Sequence, residues 1–162
     1  YPGGAALDKA ASTGNDQKYE LPRAKPGANP YDMSFSGLKT ATLNLIHHAE
    51  QVGEELDVNS LCASFCGAVS DTLVPRVVMA TKELGYKKMV VAGGVAANSR
   101  IRKDIMDAAA MLDTEVFLPP ISLCGDNAAM IGSQAYYEYL AGNVTNMSLN
   151  AYATKSILGE AL

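Results

Sequence analysis

The chain has 162 residues, 48% hydrophobic and 19% charged, enough for one domain with a real core and ordinary for a globular protein. No uninterrupted apolar run approaches the roughly 18 residues of a membrane span. The net charge of −4 gives no global attraction to nucleic acid or to an anionic membrane. Tyr1-Pro2-Gly3-Gly4 carries neither an initiator Met nor the basic and apolar regions of a signal peptide. The chain is therefore expected to be part of a longer protein that works in the cytoplasm, or in an organelle if a transit peptide has been removed. Cys62, Cys66 and Cys124 form an odd set with no CxxC. That argues against a disulfide framework and a cysteine zinc site, and predicts buried, inert thiols.

Gly4 to Ala11 reads as a short helix after a Pro-Gly-Gly turn. Lys18 to Leu21 is predicted as a short strand, and Pro22 to Tyr31 as a loop. Met33 to Phe35 is predicted as another short strand. Ser36-Gly37 opens a helix to about Val52 whose apolar face carries Leu38, Ala41, Leu45 and Ala49. A second helix runs from about Asn59 to Leu84, with Leu61, Phe65, Val69 and Leu73 on one face. Pro75 is expected to kink or split it, because proline lacks an amide proton and crowds the preceding turn. Gly85 is a good stop.

Lys88 to Ala92, apolar without a break from Met89, is predicted as a strand in the middle of a sheet. Asn98 is expected to cap a helix to about Leu112, with Ile101, Ile105, Ala108 and Leu112 facing the core. Glu115 to Leu118 is the next strand, ended by Pro119-Pro120. Asp126 is expected to cap a last helix to about Leu140. The order strand, helix, strand, helix from Lys88 onward predicts an α/β fold with at least one right-handed crossover.

Four segments can carry chemistry. Gly93 and Gly94 follow a buried strand and precede Asn98, so a ligand's ribose and phosphates can approach the backbone, and the helix amides beyond favour an anion. The alternative is a tight turn with Asn98 as a plain cap. Asp126, in Leu123-Cys124-Gly125-Asp126-Asn127, is either a helix cap or a metal or phosphate-cation ligand. One carboxylate cannot make a metal site alone. Asp8 stands one turn above Gly4 and suits ribose hydroxyls, or simply a surface helix beside Lys9. Phe35-Ser36-Gly37-Leu38-Lys39 places Ser36 at a helix start, where it joins the candidate binding residues. Lys39 there opposes the helix dipole, which hints at a ligand or RNA phosphate against the plainer solvated lysine. His47 and His48 are adjacent and point about 100° apart, so they cannot comfortably chelate one metal. One is expected half-buried and the other exposed. The basic group Arg100, Arg102 and Lys103 reads as solvated surface.

Taken together, YPGG with Asp8, SFSGLKT, VVAGGVAANSR and LCGDNAAMIG resemble the TsaD family, the tRNA adenosine threonylcarbamoyltransferases once labelled glycoproteases. The resemblance runs from Tyr1 to about Leu140. It implies part of an actin-like, sugar-kinase/Hsp70-type ATPase fold. Residues 1–125 would belong to its second lobe and 126–162 would form a closing helix and tail, with the upstream lobe absent. It implies transfer of a threonylcarbamoyl group from threonylcarbamoyl-AMP to the adenosine beside certain tRNA anticodons, with accessory proteins as partners and no membrane.

By that resemblance Gly4, Asp8 and Asn98 fall on nucleotide-contacting positions for an adenylate or ATP-type ligand. Gly93 and Gly94 would help to hold it. Asp126 falls on a metal-ligating aspartate, the metal being iron or zinc. The resemblance also implies two histidine ligands in an upstream HxxxH, a motif this chain lacks. The chain alone is therefore expected to be inactive and to bind metal weakly. No general base is identifiable. The rival readings are an ATP-dependent kinase of the same fold, a metallopeptidase, and a non-catalytic subunit that docks partners through the Cys62 to Val78 face.

Overall fold

The computed structural model describes residues 3–24, 27 and 29–151. Tyr1 and Pro2 of the glycine turn, parts of the predicted Pro22–Tyr31 loop and the end of the tail lie outside the described residues. The chain separates into two compact units, Tyr1–Gly125 and Asp126–Leu162.

The first unit is built on α3 (Val58–Leu84). Asp57 caps this helix, its carboxylate accepting from the Ser60 amide, and Gly85 ends it in the left-handed region. Helices α1 (Gly3–Ala11) and α4 (Ser99–Met111) pack against it. Helix α2 (Ser36–Val52) contributes Leu38 to a core cluster with Leu21, Leu61 and Ala68, against which Leu45, Ile46, Phe65 and Val69 pack. The expected face of α4 is buried at Ile101, Ile105 and Ala108. Helix α3 is long and apolar enough to cross a membrane by length and composition, yet half of that window is buried inside the fold. Its Cys62 to Val78 stretch is mostly core, in contact with α1 and α4 rather than bare for docking.

Pro75 does not split α3, which runs unbroken through it. The Arg76 side chain reaches back and donates from Nη1 to the Thr72 carbonyl at 2.6 Å, in the turn that a proline disturbs.

The segment from Asn15 to Ala24 corrects the expected strand at Lys18 to Leu21. No strand forms there, because its amides go to hydroxyls on α3 instead. The amides of Asn15, Tyr19 and Ala24 donate to Ser60 Oγ, Ser64 Oγ and Thr72 Oγ1 at 3.0, 3.2 and 3.2 Å. Ser60, Ser64 and Thr72 lie on one stripe of the helix at multiples of four residues, with Ala68 between them. All four are buried. Gly14 enters this seam so closely that an added Cβ would fall 2.0 Å from the Asn59 carbonyl oxygen.

Met33 to Phe35 is likewise not a strand. The chain before it turns at Asn29, whose side chain accepts from the Tyr31 amide, and the Asp32 carbonyl accepts from Arg76 Nε at 2.9 Å.

Strands β1 (Lys88–Val90) and β2 (Glu115–Phe117) pair in parallel, Met89 opposite Val116, with α4 as the crossover. This makes the chain α/β. Among the described residues the sheet has two strands, so β1 is not the central strand its apolar run predicts. Val90 is 75% exposed. An unbroken apolar run marks a strand covered on both faces, and within the first unit Val90 has no such cover.

The second unit holds α5 (Ala128–Leu140). Asp126 is not its cap. Asn127 takes that place, its side chain accepting from the Met130 amide at 3.0 Å.

Candidate functional site

A cavity of about 940 Å³ opens in the first unit, between α1, the first half of α3 and the turn that follows β1. That turn begins at Gly93, whose φ of 91° is open to glycine and strained for other residues. It continues as one 3₁₀ turn, Gly94–Ala97, closed by bonds from the Ala96 amide to the Gly93 carbonyl and from the Asn98 amide to the Val95 carbonyl. The cavity is mostly apolar. Phe65 and Val69 line it from α3, Val95 from the turn, Ile101 from α4 and Ile121 from the segment after β2.

Four of the sequence-predicted residues meet here. Gly4, Asp8, Gly94 and Asn98 all line this one cavity. Gly93 shapes the turn without standing in the lining. Ser36 does not join them. It is exposed in the first turn of α2, where Phe35 holds the cap position without a side-chain cap bond. The Ser36 cap is therefore not formed.

Asp8 and Asn98 share the start of α4. Asp8 Oδ1 accepts from the Ser99 amide at 3.0 Å and from Ser99 Oγ at 2.8 Å. Asn98 caps the helix, its Oδ1 accepting from the Ile101 amide at 3.0 Å, while its Nδ2 donates to Cys66 Sγ at 3.4 Å. Two of the amides expected to attract an anion are thus taken by protein groups, and the Asp8 carboxylate is itself the anion at this helix end. The expected phosphate grip is left without these two amides. Asp8 Oδ2 has no hydrogen-bond partner among the described residues, and Asp8 and Asn98 both line the cavity. The site therefore offers a mostly apolar slot with a few polar side chains, Asp8, Asn98 and Lys9, in its lining, the character of a small-molecule pocket.

Burial pushes the Cys66 thiol above its ordinary range, and the Cys62 thiol also. Cys66 is buried as expected, while Cys62 is half-buried, and the shift disfavours the reactive thiolate of each.

The basic group at the start of α4 is paired with protein groups, with Lys103 exposed as expected. Arg100 pairs with Asp16 at 2.7 Å and Asp104 at 2.6 Å, and its guanidinium holds the Asp16 carboxyl below the usual carboxylate range. Lys103 pairs with Asp107 at 2.6 Å. Arg102 donates to the Ala96 and Pro119 carbonyls.

His47 and His48 are both exposed on α2, against the expectation that one is half-buried. Asp126 is exposed, and no group of three His, Cys, Asp or Glu residues able to hold a metal occurs among the described residues. The described residues do not by themselves fit a metal ion.

Residues 1–133, which include every residue lining this cavity, match the family described as TsaD: tRNA N6-adenosine threonylcarbamoyltransferase. The chain belongs to the TsaD family. It is 46% identical over 151 residues to the tRNA N6-adenosine threonylcarbamoyltransferase of Moorella thermoacetica, covering 93% of this chain and 44% of that relative. It is 46% identical over 153 residues to the protein of the same name from Lactobacillus delbrueckii subsp. bulgaricus, with the same coverage. The chain thus spans 44% of the length of these TsaD-family relatives. Among solved structures, the crystal structure of T. kodakarensis HypF matches with a TM-score of 0.51 at 24% identity, over 84% of this chain and 16% of that one. That likeness concerns the fold alone.

Sequence reading missed Ser99, Cys66, Phe65 and Ile121 as parts of the site. Ser99 meets Asp8 across 91 residues of chain, and no local spacing signals such a pair. Phe65 and Cys66 read as helix core, because a cavity floor and a core have the same apolar signature.

Proposed function

We propose that this chain forms the nucleoside-holding wall of a tRNA N6-adenosine threonylcarbamoyltransferase. In the intact protein the threonylcarbamoyl group passes from threonylcarbamoyl-AMP to the N6 amine of the adenosine beside the anticodon of tRNAs that read A-starting codons. The observation that carries this reading is the meeting of Gly4, Asp8, Gly94 and Asn98 on one cavity, in a chain of the TsaD family.

The chemistry follows from what the cavity offers. The purine lies against the apolar side chains of Phe65, Val69, Val95 and Ile121. Asp8 Oδ2 accepts from a ribose hydroxyl, and the Asn98 amide donates to a ribose oxygen. Two α4 amides, those of Ser99 and Ile101, are already taken by Asp8 and Asn98, so the phosphate extends out of the slot and carries the acyl group toward the tRNA. Attack by an amine on the acyl-phosphate carbonyl expels AMP, and holding the nucleoside fixes the line of attack. The same occupied amides weigh against the kinase alternative, whose polyphosphate would need them.

This reading places residues 1–125 in the second lobe of an actin-like, sugar-kinase/Hsp70-type fold and 126–162 in its closing helix and tail. Asp126 supplies one ligand of a divalent ion, iron or zinc, and the remaining ligands come from outside this chain. The working protein is cytoplasmic and meets tRNA and accessory subunits there.

The test is Asn98→Ala in the full-length protein, read as threonylcarbamoyladenosine formed on tRNA by nucleoside mass spectrometry. The expected loss is about 100-fold, the scale of a lost polar substrate contact in a preorganised site. Formation at the parent rate would defeat the reading.

A further inference from the structure

Arg102 does not line the cavity, yet it holds both loops that do. Its backbone sits in the first turn of α4, donating to the Asn98 carbonyl at 3.0 Å. Its side chain leaves the helix and reaches in two directions. Nη1 donates to the Ala96 carbonyl at 2.7 Å, inside the 3₁₀ turn, and lies 3.7 Å from Cys124 Sγ. Nη2 donates to the Pro119 carbonyl at 3.1 Å. Arg102 thus bridges two loops. The first is a single 3₁₀ turn presenting Gly94 and Val95 to the cavity. The second, between Pro119 and Cys124, presents Ile121.

A planar guanidinium suits this task. Its donors have a fixed fork geometry, so two carbonyls on different loops are held at a set separation. Ala96 is 3% exposed, so its carbonyl has no ready substitute in water. Cys124 is also buried, and its thiol lies 3.6 Å from the Pro120 carbonyl, so the second loop has few ways to shift around a lost contact.

We infer that Arg102 is a positioning residue that sets the width of the nucleoside slot by clamping the Gly94–Ala97 turn to the Pro119–Cys124 segment. This rests on the nucleotide reading of the cavity. Without the clamp, Val95 and Ile121 no longer hold the two sides of the purine at a fixed spacing, and affinity for the nucleoside falls while α1, α3 and α4 stay in place.

The experiment uses the full-length protein with Arg102→Met and Arg102→Lys, probed with AMP by calorimetry and by amide hydrogen exchange without nucleotide. Arg102→Met is expected to speed exchange at residues 94–98 and 121–124 together by at least about tenfold, with the amides of α3 unchanged. AMP is expected to bind about tenfold more weakly. Lysine keeps one donor and is expected to fall between parent and Arg102→Met on both readouts. Unchanged exchange at either loop overturns the inference, as does loosening of both loops with AMP affinity within twofold of the parent. Failure of both variants to fold would assign Arg102 a purely structural role and overturn it too. A parent that binds no AMP would defeat the nucleotide reading, and the clamp would then stand or fall on the exchange rates alone.

Discussion

The seam between residues 15–24 and α3 differs from the β1–β2 sheet in an instructive way. The seam has no strand, yet its Asn15, Tyr19 and Ala24 amides are satisfied, by hydroxyls spaced along a helix. The sheet has regular parallel pairing, yet Val90 is 75% exposed and Phe117 45% exposed. Regular hydrogen bonding and burial are therefore separate properties, and here they fall on different elements. The seam is closed within this chain. The sheet leaves Val90 and Phe117 exposed beside the Lys88–Glu115 pair on the same face.

Substitutions in the two regions break or sharpen this contrast. The largest effect is expected at Arg76, whose buried guanidinium donates to the carbonyls of Ala24, Asp32 and Thr72. Arg76→Met leaves those acceptors unsatisfied. It is expected to cost about 3 kcal/mol in chemical denaturation of the full-length protein, and a cost under about 1 kcal/mol would mean that the seam does not depend on it. Ser64→Ala removes the acceptor of the Tyr19 amide at a site 1% exposed. The expected loss is about 1 to 2 kcal/mol, and a neutral result would show that the hydroxyl stripe is dispensable.

Acid sharpens the picture at the end of the same seam. The hydroxyl and amide of Ser60 and the Lys18 ammonium lower the Asp57 carboxyl from 3.8 to about 2. A depressed folded-state value means that stability is present above the ordinary value and is lost as pH falls through the folded one. The parent should therefore lose stability between about pH 4 and pH 2 more steeply than Asp57→Asn. Superimposable acid profiles would remove Asp57 from the account. The smallest effect belongs to the sheet. Val90→Ser in this chain should change stability by no more than about 0.5 kcal/mol, as exposed positions do. A loss above 2 kcal/mol would mean that the face is covered.

Much of the fold was legible in advance, for local reasons. The faces of α2 and α4 follow from apolar spacing, the start of α4 from Asn98, and the parallel pair from two short apolar runs flanking a helix. The failures are non-local. Lys18 to Leu21 looks like a strand because its residues suit an extended chain, but the Lys18 amide closes a turn onto the Asn15 carbonyl and the Tyr19 amide finds Ser64, 45 residues away along the sequence. Asp126 looks like a cap, and Asn127 beside it is an equally good one. In the site, Gly4, Asp8, Gly94 and Asn98 were legible as motif residues. Their meeting in one cavity, and the loss of the α4 amides to Asp8 and Asn98, required three dimensions.

The central claim is that the free oxygen of Asp8 faces a nucleoside. Asp8→Asn keeps a carbonyl oxygen for the Ser99 amide and hydroxyl, and replaces Oδ2 with an amide nitrogen. The direct measurement is the AMP dissociation constant of the full-length protein by calorimetry, for the parent and for Asp8→Asn. The account predicts weakening of roughly 10- to 100-fold, about 1.4 to 2.8 kcal/mol, with the unfolding midpoint unchanged. AMP affinity within twofold of the parent would contradict it.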